Sequence, residues 1–305
     1  MKLPDRVALL FVVVVALVAA GPGTAAAQPK PVGWTTTANL SGVFTGGNSQ
    51  ASSFGFKART ERNWLRTLYF LDAGGIRQTA GDDVFYAVGT PTDFTVTDLT
   101  NSSTKAENYY AATGFERRVT ERFFWNLGGN FKRDLFSGVE ELWSGSAGVG
   151  YLWTNRTSQD LKLGLAATYN SQKETVPDPA TKDTFAGARF TAEFSAKFGT
   201  EKQSSFTSKL ALDENLQVTD DFRSDWDNAL KVAVNRRLAL QLGAKWAYRN
   251  LPALREVDLF AIQPGAGVGA IGKVLVPYQS SDVWLTVSLV LTWGPAGPSG
   301  AKPTP

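Results

Sequence analysis

Apolar and polar residues alternate one by one along about a dozen segments of this chain. The clearest apolar series are Leu238, Leu240, Leu242, Ala244, Trp246 and Tyr248, and then Val283, Leu285, Val287, Leu289, Leu291 and Trp293. Because successive side chains of a β-strand point to opposite faces, each segment predicts a strand with one apolar and one polar face. Strands of about ten residues with this alternation are typical of transmembrane β-barrels, in which the apolar face meets lipid.

We therefore predict an all-β fold, an antiparallel transmembrane β-barrel of about 12 strands, within residues 28–293. The predicted strands run near 34–45, 49–62, 64–78, 105–118, 122–134, 142–154, 159–171, 184–198, 203–216, 222–235, 237–250 and 280–293. Two loops also contain strand-like sequences, the first at 84–88 with 94–96 and the second at 273–276. If these segments extend barrel strands above the membrane, the number of strands is 12. If they cross the membrane, the number is 14. A barrel of 10 strands also remains possible.

The lengths of the predicted connections alternate. With the N-terminus placed in the periplasm, all periplasmic connections are short, whereas three outer connections, 79–104, 172–183 and 251–279, are long. Short periplasmic turns and longer outer loops are typical of outer-membrane barrels. A soluble β-sandwich gives no reason for this asymmetry.

Aromatic residues cluster near both ends of the predicted strands, as in the two aromatic girdles of membrane barrels. Those near the periplasmic ends are Trp34, Trp64, Trp153, Phe198 and Trp293, and those nearer the outer ends are Trp143, Tyr169, Trp226, Trp246 and Tyr248. Together with Leu240, Leu242, Leu289 and Leu291, these residues are predicted to face lipid or its interface.

The opposite faces of the same strands carry charges of both signs. The candidate lumen-lining residues are Arg59, Arg189, Glu193, Lys197, Arg223, Asp225, Asp227, Lys231, Lys245 and Arg249. They fit either a polar channel whose charges set ion preference or a self-neutralising network that fills the barrel. Side chains just fill an eight-stranded barrel, and 16 to 18 strands enclose an aqueous channel, so a barrel of 12 strands leaves both interpretations open.

The N-terminus has the features of a secretory signal peptide over residues 1–27. Lys2 and Arg6 precede an apolar run, residues 7–20, and residues 25–27 fit a small-residue cleavage site before Gln28. The C-terminal residues 294–305 form a Gly/Pro-rich tail. We therefore expect secretion through a cleaved signal peptide and residence in the bacterial outer membrane.

The composition limits the chemistry. The 305 residues include no cysteine and no histidine. The absence of cysteine excludes disulfides and thiolate metal sites, and the absence of histidine removes the most common general base. We expect no enzyme activity, no cofactor and no metal. The net charge of +3 gives no reason to expect nucleic acid, and the expected partners are outer-membrane lipid, lipopolysaccharide and the barrel-assembly machinery.

Three local motifs carry a family resemblance. They are Thr45-Gly46-Gly47-Asn48-Ser49, Arg133-Asp134-Leu135-Phe136 followed by Gly138, and Gly148-Val149-Gly150-Tyr151. In their order and spacing the chain resembles the YdiY-like family of salt-induced outer-membrane proteins, a domain family of unknown function. The resemblance implies a barrel, residence in the outer membrane and a link to osmotic or salt stress. It implies no specific activity.

Three functions remain open from the sequence. The first is a passive envelope protein with a narrow or occluded polar lumen, and the second is a small porin-like channel for ions or small solutes. The third is a surface that binds ligands or adheres through the outer loops 79–104 and 251–279. Conductance separates the first two functions, and loop deletion tests the third.

Overall fold

The computed structural model describes residues 32–46, 52–155, 158–178, 182–199, 204–235, 237–261 and 269–294. The predicted leader and the tail beyond residue 294 lie outside this part of the chain. The strands are β1 (Gly33–Gly46), β2 (Ser52–Asn63), β3 (Thr67–Thr90), β4 (Asp93–Arg118), β5 (Phe123–Asp134), β6 (Val139–Asn155), β7 (Gln159–Glu174), β8 (Thr184–Phe198), β9 (Ser204–Asn215), β10 (Phe222–Ala233), β11 (Leu238–Arg249), β12 (Leu254–Phe260), β13 (Gly272–Pro277) and β14 (Ser281–Trp293). A short 3₁₀ turn, Leu135–Ser137, joins β5 to β6.

Twelve of these strands form a closed antiparallel barrel. From β1 to β11 each strand pairs with the next one along the chain, and β14 closes the ring by pairing with both β11 and β1. Closure leaves no unpaired edge in the ring, so the backbone groups of every barrel strand have partners on both sides. The predicted all-β barrel of about 12 strands is confirmed.

No helix in the described part of the chain is both long enough and apolar enough to cross a membrane.

The two loop segments with strand-like sequences lie outside the barrel ring. The first extends β3 and β4, which remain paired out to Thr90 and Asp93. The second lies in β13, which forms a hairpin with β12. At its tip β12 pairs in parallel with the outer part of β3, where Asp258 lies opposite Tyr86. Neither segment adds a barrel strand, so the count stays at 12.

The two ends of the barrel differ in their connections. At the short-turn end, where β1 begins and β14 ends, the strands are joined by residues 64–66, 119–122, 156–158, 199–203 and 234–237. At the long-loop end lie the β3–β4 extension, the loops 175–183 and 216–221, and the segment 250–280 with its hairpin. Of the motif Thr45-Gly46-Gly47-Asn48-Ser49, the first two residues end β1 and the last three lie outside the described residues.

Exposure alternates along the barrel strands as the sequence pattern predicts. In β14, Leu285 and Leu289 are 54% and 45% exposed, whereas Ser288 and Val290, on the other face, are 4% and 1% exposed. The exposed face of the ring is apolar on strand after strand, and soluble monomers rarely expose a continuous apolar surface of this kind. This outer belt is therefore the lipid-facing surface of the barrel.

Aromatic side chains border the belt. At the short-turn end, Trp34, Trp153 and Trp293 are each about half exposed. Nearer the long-loop end, the ring of Trp143 lies 4.5 Å from that of Phe131, and the rings of Trp246 and Tyr248 stack on each other. Four predicted girdle residues remain. Trp64 in the β2–β3 turn, Phe198 and Tyr169 are exposed, and the indole N–H of Trp226 donates a hydrogen bond to Ser208.

Leu242→Arg tests the lipid-facing surface. Leu242 is on the outer face at the middle of β11, so arginine there should lower the free energy of unfolding by about 2–4 kcal/mol, which is the cost of a cation at the bilayer midplane. Urea unfolding of the protein in lipid vesicles gives this number.

The matched control is Leu238→Arg, on the same face but at the short-turn end of β11. Arginine there reaches the interface, and its cost should fall to about 0–1 kcal/mol. Equal costs at the two positions would contradict the depth assigned to this strand.

Candidate functional site

A row of alternating charges crosses the inner face of five consecutive strands. Lys162 of β7 lies opposite Glu193, Glu193 opposite Lys209, Lys209 opposite Asp227, and Asp227 opposite Lys245 of β11. Directly opposite residues in a ladder have Cβ atoms about 5 Å apart, so each charge in this row has neighbours of the opposite sign. The row alternates three lysines with two carboxylates and therefore does not form a ring of one sign.

A second group of charges lies next to this row, toward the long-loop end. Arg189 Nε donates to Asp213 Oδ1 at 2.6 Å, and Asp213 also lies opposite Arg223. Lys245 Nζ lies 2.9 Å from Asp225 Oδ1. These groups again combine both signs within a few ångströms.

The other half of the lumen holds a smaller cluster around Asp72. Arg59 Nη1 lies 3.3 Å from the Asp72 carboxylate, and the Tyr110 hydroxyl donates to the same carboxylate at 3.1 Å. The Arg59 guanidinium also lies over the ring of Phe70 and contacts Glu61. Three strands, β2, β3 and β4, thus contribute to one packed cluster.

Inward aromatic rings fill space near the short-turn end, and glycines make room for them. The ring of Phe70 lies against Gly114, and that of Phe124 against Gly150, so closely that a Cβ at either glycine would collide with it. Phe124 is 5% exposed, and Lys162 lies over its ring. Glycine at these positions allows a ring to lie flat against the barrel wall and occupy the lumen.

Several contacts join strands that are not neighbours in the ring. Lys162 of β7 lies 2.5 Å from Glu116 of β4. Arg223 of β10 donates to Gln172 of β7 at 2.7 Å. Strands separated in the ring can meet only through the barrel interior, so these contacts identify the charged face as the lumen and show that side chains cross it.

The densest network lies at the long-loop end. Arg249 Nη2 donates to Glu174 Oε1 at 2.6 Å, so β11 is joined to β7 across the lumen. Asp221, in the β9–β10 loop, accepts two hydrogen bonds from Arg223 and one from Asn215. Arg249 also lies 3.4 Å from Asp221. The carboxylates of Glu174 and Asp221 are almost fully buried, at 4% and 2% exposure, and each has an arginine partner.

The β12–β13 hairpin lies over this end of the barrel. Val257, Leu259 and Val274 of the hairpin pack on Ala87 of β3 in a buried apolar cluster, which Phe94 and Val276 flank. At the base of the hairpin, Tyr278 bonds to Ala253 through the backbone, and its side chain lies close to Gly138, between β5 and β6. The segment that leaves β11 therefore reaches the opposite side of the ring before it enters β14.

Beneath the hairpin base is a cavity of about 160 Å³. It is lined by charged side chains of the network, including Lys132, Asp134, Arg189 and Asp225, and by the rings of Trp284 and Tyr278. In the part of the chain that the structure describes, no group of three acidic residues is placed to hold a metal ion.

The predicted lumen residues take three kinds of position. Arg59, Arg189, Arg223, Asp225, Lys245 and Arg249 lie in ion pairs, and Glu193 and Asp227 lie between lysines in the alternating row. Lys197 and Lys231 lie nearer the short-turn end, where each has Ser205 opposite it.

Sequence reasoning missed Gln172, Glu174 and Asp221. The predicted strand ended at residue 171, but β7 continues to Glu174. Every second residue still points inward along this extension, in the series Thr168, Asn170, Gln172 and Glu174. That alternation was the available signal for Gln172 and Glu174. Asp221 lies in a loop, and only the fold brings its carboxylate to Arg223 and Arg249.

The surroundings of Asp221 favour its charged form. Burial raises the pKa of its carboxyl, but the hydrogen bond and charge of Arg223, the charge of Arg249 and the hydrogen bond from Asn215 outweigh burial. The pKa of Asp221 therefore lies below its ordinary value, and the arginines remain neutralised at neutral pH.

A closed ring of twelve antiparallel strands with an apolar exterior and a charged interior defines a transmembrane β-barrel. The chain belongs to a family of unknown function, DUF481, which matches residues 38–259. The family resemblance read from the sequence motifs is consistent with this match. No curated protein sequence matches the chain.

Several solved barrels are similar in structure at very low sequence identity. The NanC porin is 6% identical, with a TM-score of 0.47, over 83% of this chain and 98% of that chain. An anion-selective porin from Comamonas acidovorans is 11% identical, with a TM-score of 0.38, over 86% and 99% of the two chains. OmpT of Vibrio cholerae is 7% identical, with a TM-score of 0.38, over 86% and 97%.

Arg249→Ala should strongly destabilise the barrel. It leaves the buried carboxylate of Glu174 without its arginine and removes one of the two arginines at Asp221. Breaking a buried ion pair from one side costs about 3–5 kcal/mol, because the remaining charge stays buried. Urea unfolding in detergent or lipid measures the loss.

Lys173→Ala is the control for this variant. Lys173 is adjacent to Glu174 but pairs with Glu140 on an exposed surface, where ion pairs contribute little. We expect no measurable change in unfolding, and a comparable loss in both variants would show that the lumen network is not the source of stability.

The stability that Asp221 contributes should depend on pH in the acid range. Because its pKa is lower in the folded than in the unfolded protein, the contribution is fully present above the unfolded value of about 3.9 and is lost as pH falls through the folded value. The difference in unfolding free energy between the wild type and Asp221→Asn should be constant from pH 7 to about pH 5 and shrink below about pH 4. A difference that grows on acidification would contradict the assigned direction.

Proposed function

We propose that this protein is a resident barrel of the bacterial outer membrane whose lumen is closed at rest. The observation that carries the proposal is the set of contacts across the lumen, Arg249 to Glu174, Arg223 to Gln172 and Lys162 to Glu116. Each joins strands three or four positions apart in the ring of twelve, and together they narrow the path that a solute would take.

The sign pattern of the charges supports the same function. A selective pore presents rings of one sign to the permeating ion. Here positive and negative side chains alternate around the inner wall from Lys162 to Lys245, so each one lies opposite a residue of the other sign. Such a wall is already satisfied without a solute, which favours the filled barrel over the small porin-like channel.

The hairpin at the long-loop end supports closure as well. Its apolar cluster with Ala87 holds β12 against β3, and Tyr278 lies near Gly138 on the far side of the barrel. These parts of the loop 251–279 are packed over the mouth and do not extend freely from it. We therefore give the ligand-binding or adhesive function of the outer loops less weight.

Location and partners are part of the same proposal. The exposed apolar belt with its aromatic borders fits the outer membrane, which the chain would reach through the signal peptide at residues 1–27. The long-loop end would then face lipopolysaccharide, and the barrel-assembly machinery would insert the strands. We propose a passive, non-enzymatic role, and the salt-stress link implied by the family resemblance agrees with a barrel that adds no leak to the envelope.

Planar-bilayer recording tests the proposal. The full chain is expressed with its own leader and purified from the outer-membrane fraction, and N-terminal sequencing should begin near Gln28. Folding is verified by the shift in gel migration on heating. At high salt we expect the folded wild-type protein to give no discrete conductance steps.

A variant designed to open the lumen completes the experiment. It replaces residues 254–277 with a short Gly/Ser linker and carries Arg249→Ala with Glu174→Ala, so that a buried cation and its anion are removed together. This variant should give conductance steps, whereas the surface control Lys173→Ala with Glu140→Ala should stay silent. Discrete steps from the wild-type protein would instead establish a small porin-like channel.

A further inference from the structure

An arginine on the outer face of the barrel is held between two tryptophan rings. Arg62, near the end of β2, lies directly opposite Trp34 of β1 in the ladder. Its guanidinium carbon is 5.3 Å from the centre of the Trp34 ring and 4.8 Å from that of Trp64, which follows in the β2–β3 turn. A cation at these distances is attracted by the π-electrons of both rings. The two contacts therefore hold this guanidinium on the lipid-facing side of the barrel.

The N–H groups of Arg62 have no acceptor within the part of the chain that the structure describes. No residue there accepts a hydrogen bond from its guanidinium or forms an ion pair with it. A guanidinium has five N–H donors arranged as a planar fork, and the two tryptophan rings supply no oxygen acceptor for them. Arg62 therefore presents its donors to an acceptor from outside the chain.

The position of Arg62 on the barrel indicates which acceptor it meets. Trp34 and Trp64 are 47% and 40% exposed at the short-turn border of the apolar belt, and tryptophans at such borders lie at the level of the lipid headgroups. Every glycerophospholipid has a phosphate at this level. The planar fork of an arginine matches the oxygens of a phosphate and binds two of them at once. The acceptor that fits Arg62 is therefore a headgroup phosphate.

The outer surface between this arginine and the middle of the barrel has room for an acyl chain. Ala58 lies four residues from Arg62, about 13 Å along the strand. It lies opposite Ala38 on one side and Ala73 on the other, and Ala73 lies opposite Ala111. These four alanines form a row across β1 to β4 on the lipid-facing side. Their short side chains leave a shallow strip in which a chain attached to the headgroup can lie against the wall.

We propose that Trp34, Arg62 and Trp64 form a binding site for the phosphate of an anionic glycerophospholipid. The charge of Arg62 has no carboxylate partner among the described residues, so a headgroup with a net negative charge neutralises it. A zwitterionic headgroup carries its own cation beside the phosphate and competes less well. The inference deepens the lipid contact of the proposed function and rests on its membrane location, not on the closed lumen. With the short-turn end in the periplasm, the lipid belongs to the inner leaflet.

Native mass spectrometry tests the site on the folded protein, expressed and purified as for the conductance experiment. The protein in detergent is incubated with equal amounts of phosphatidylglycerol and phosphatidylcholine that carry the same acyl chains. Both lipids have a phosphodiester, but only phosphatidylglycerol has a net negative charge. We expect the wild type to retain at least fivefold more phosphatidylglycerol than phosphatidylcholine. Equal retention of the two lipids would overturn the proposal and leave water as the partner of Arg62.

Arg62→Ala locates the binding. It removes the guanidinium, so the ratio of the two retained lipids should fall to within twofold of one. The matched control is Arg117→Ala, which removes an exposed arginine from the same face and end of the barrel, where Arg117 lies opposite Thr67 and Trp125. The control should leave the ratio within twofold of the wild-type value. A preference that survives Arg62→Ala would show that Arg62 only fastens the β2–β3 turn, and it would overturn the site.

Trp64→Leu tests the rings without removing the charge. Trp64 lies exposed in a turn, so this variant should fold as the wild type does, which the shift in gel migration on heating verifies. The lipid ratio should fall at least twofold, because the guanidinium loses one of its two ring contacts. An unchanged ratio would overturn the three residues as the binding site.

Inorganic phosphate distinguishes a lipid from a free anion. At tens of millimolar it should not displace the bound phosphatidylglycerol, because it has no acyl chain to lie against the alanine row. Complete displacement would identify free phosphate as the ligand and overturn the lipid site.

The outcome is separate from that of the conductance experiment. If the wild-type protein conducts but still retains phosphatidylglycerol through Arg62, the closed lumen is wrong and the lipid site stands. If the protein is silent and shows no preference between the lipids, the closed lumen stands and the lipid site is wrong.

Discussion

The structure depends on one constraint, which is that a backbone inside a membrane has no water to bond to. Every N–H and C=O of a spanning strand must find a partner in the protein, and a sheet satisfies this only when it closes on itself. β14 meets this requirement by pairing with β11 on one side and β1 on the other. Closure separates the two faces of every strand, and the alternating sequence assigns the apolar face to lipid and the charged face to the interior.

Closure also creates a problem of charge, because some charged groups inside the ring, such as the carboxylates of Glu174 and Asp221, are almost fully buried. An isolated charge there is costly, and its cost is reduced when opposite charges lie close to it. The ladder register provides this arrangement between neighbouring strands, as where Glu193 lies between Lys162 and Lys209. Arg249 and Glu174 provide it across the lumen. The side chains that neutralise one another are therefore the same ones that reach into the lumen.

The hairpin cap adds a second, apolar attachment at the long-loop end. Its small cluster on Ala87 lies on the part of β3 that extends beyond the barrel ring, so the long β3–β4 hairpin serves as a support for the cap. The network below and the hairpin above line a cavity in which the buried carboxylate of Asp134 pairs with Lys132.

The sequence by itself determined the strands, their lipid and lumen faces and the closure into about twelve strands, because the alternation of apolar and polar residues is a local property of each segment. It did not determine which charges meet. Arg249 and Glu174 are 75 positions apart in the chain, and Asp221 lies in a loop without any periodic signal. Their contacts follow from the register and curvature of the closed ring. The position of the β12–β13 hairpin also follows from the ring, because the strand-like sequence at 273–276 could not show whether this segment crosses the membrane or lies over the end of the barrel. Only the tertiary structure shows which inward side chains meet across the lumen, because that depends on how far they reach across a ring of this size.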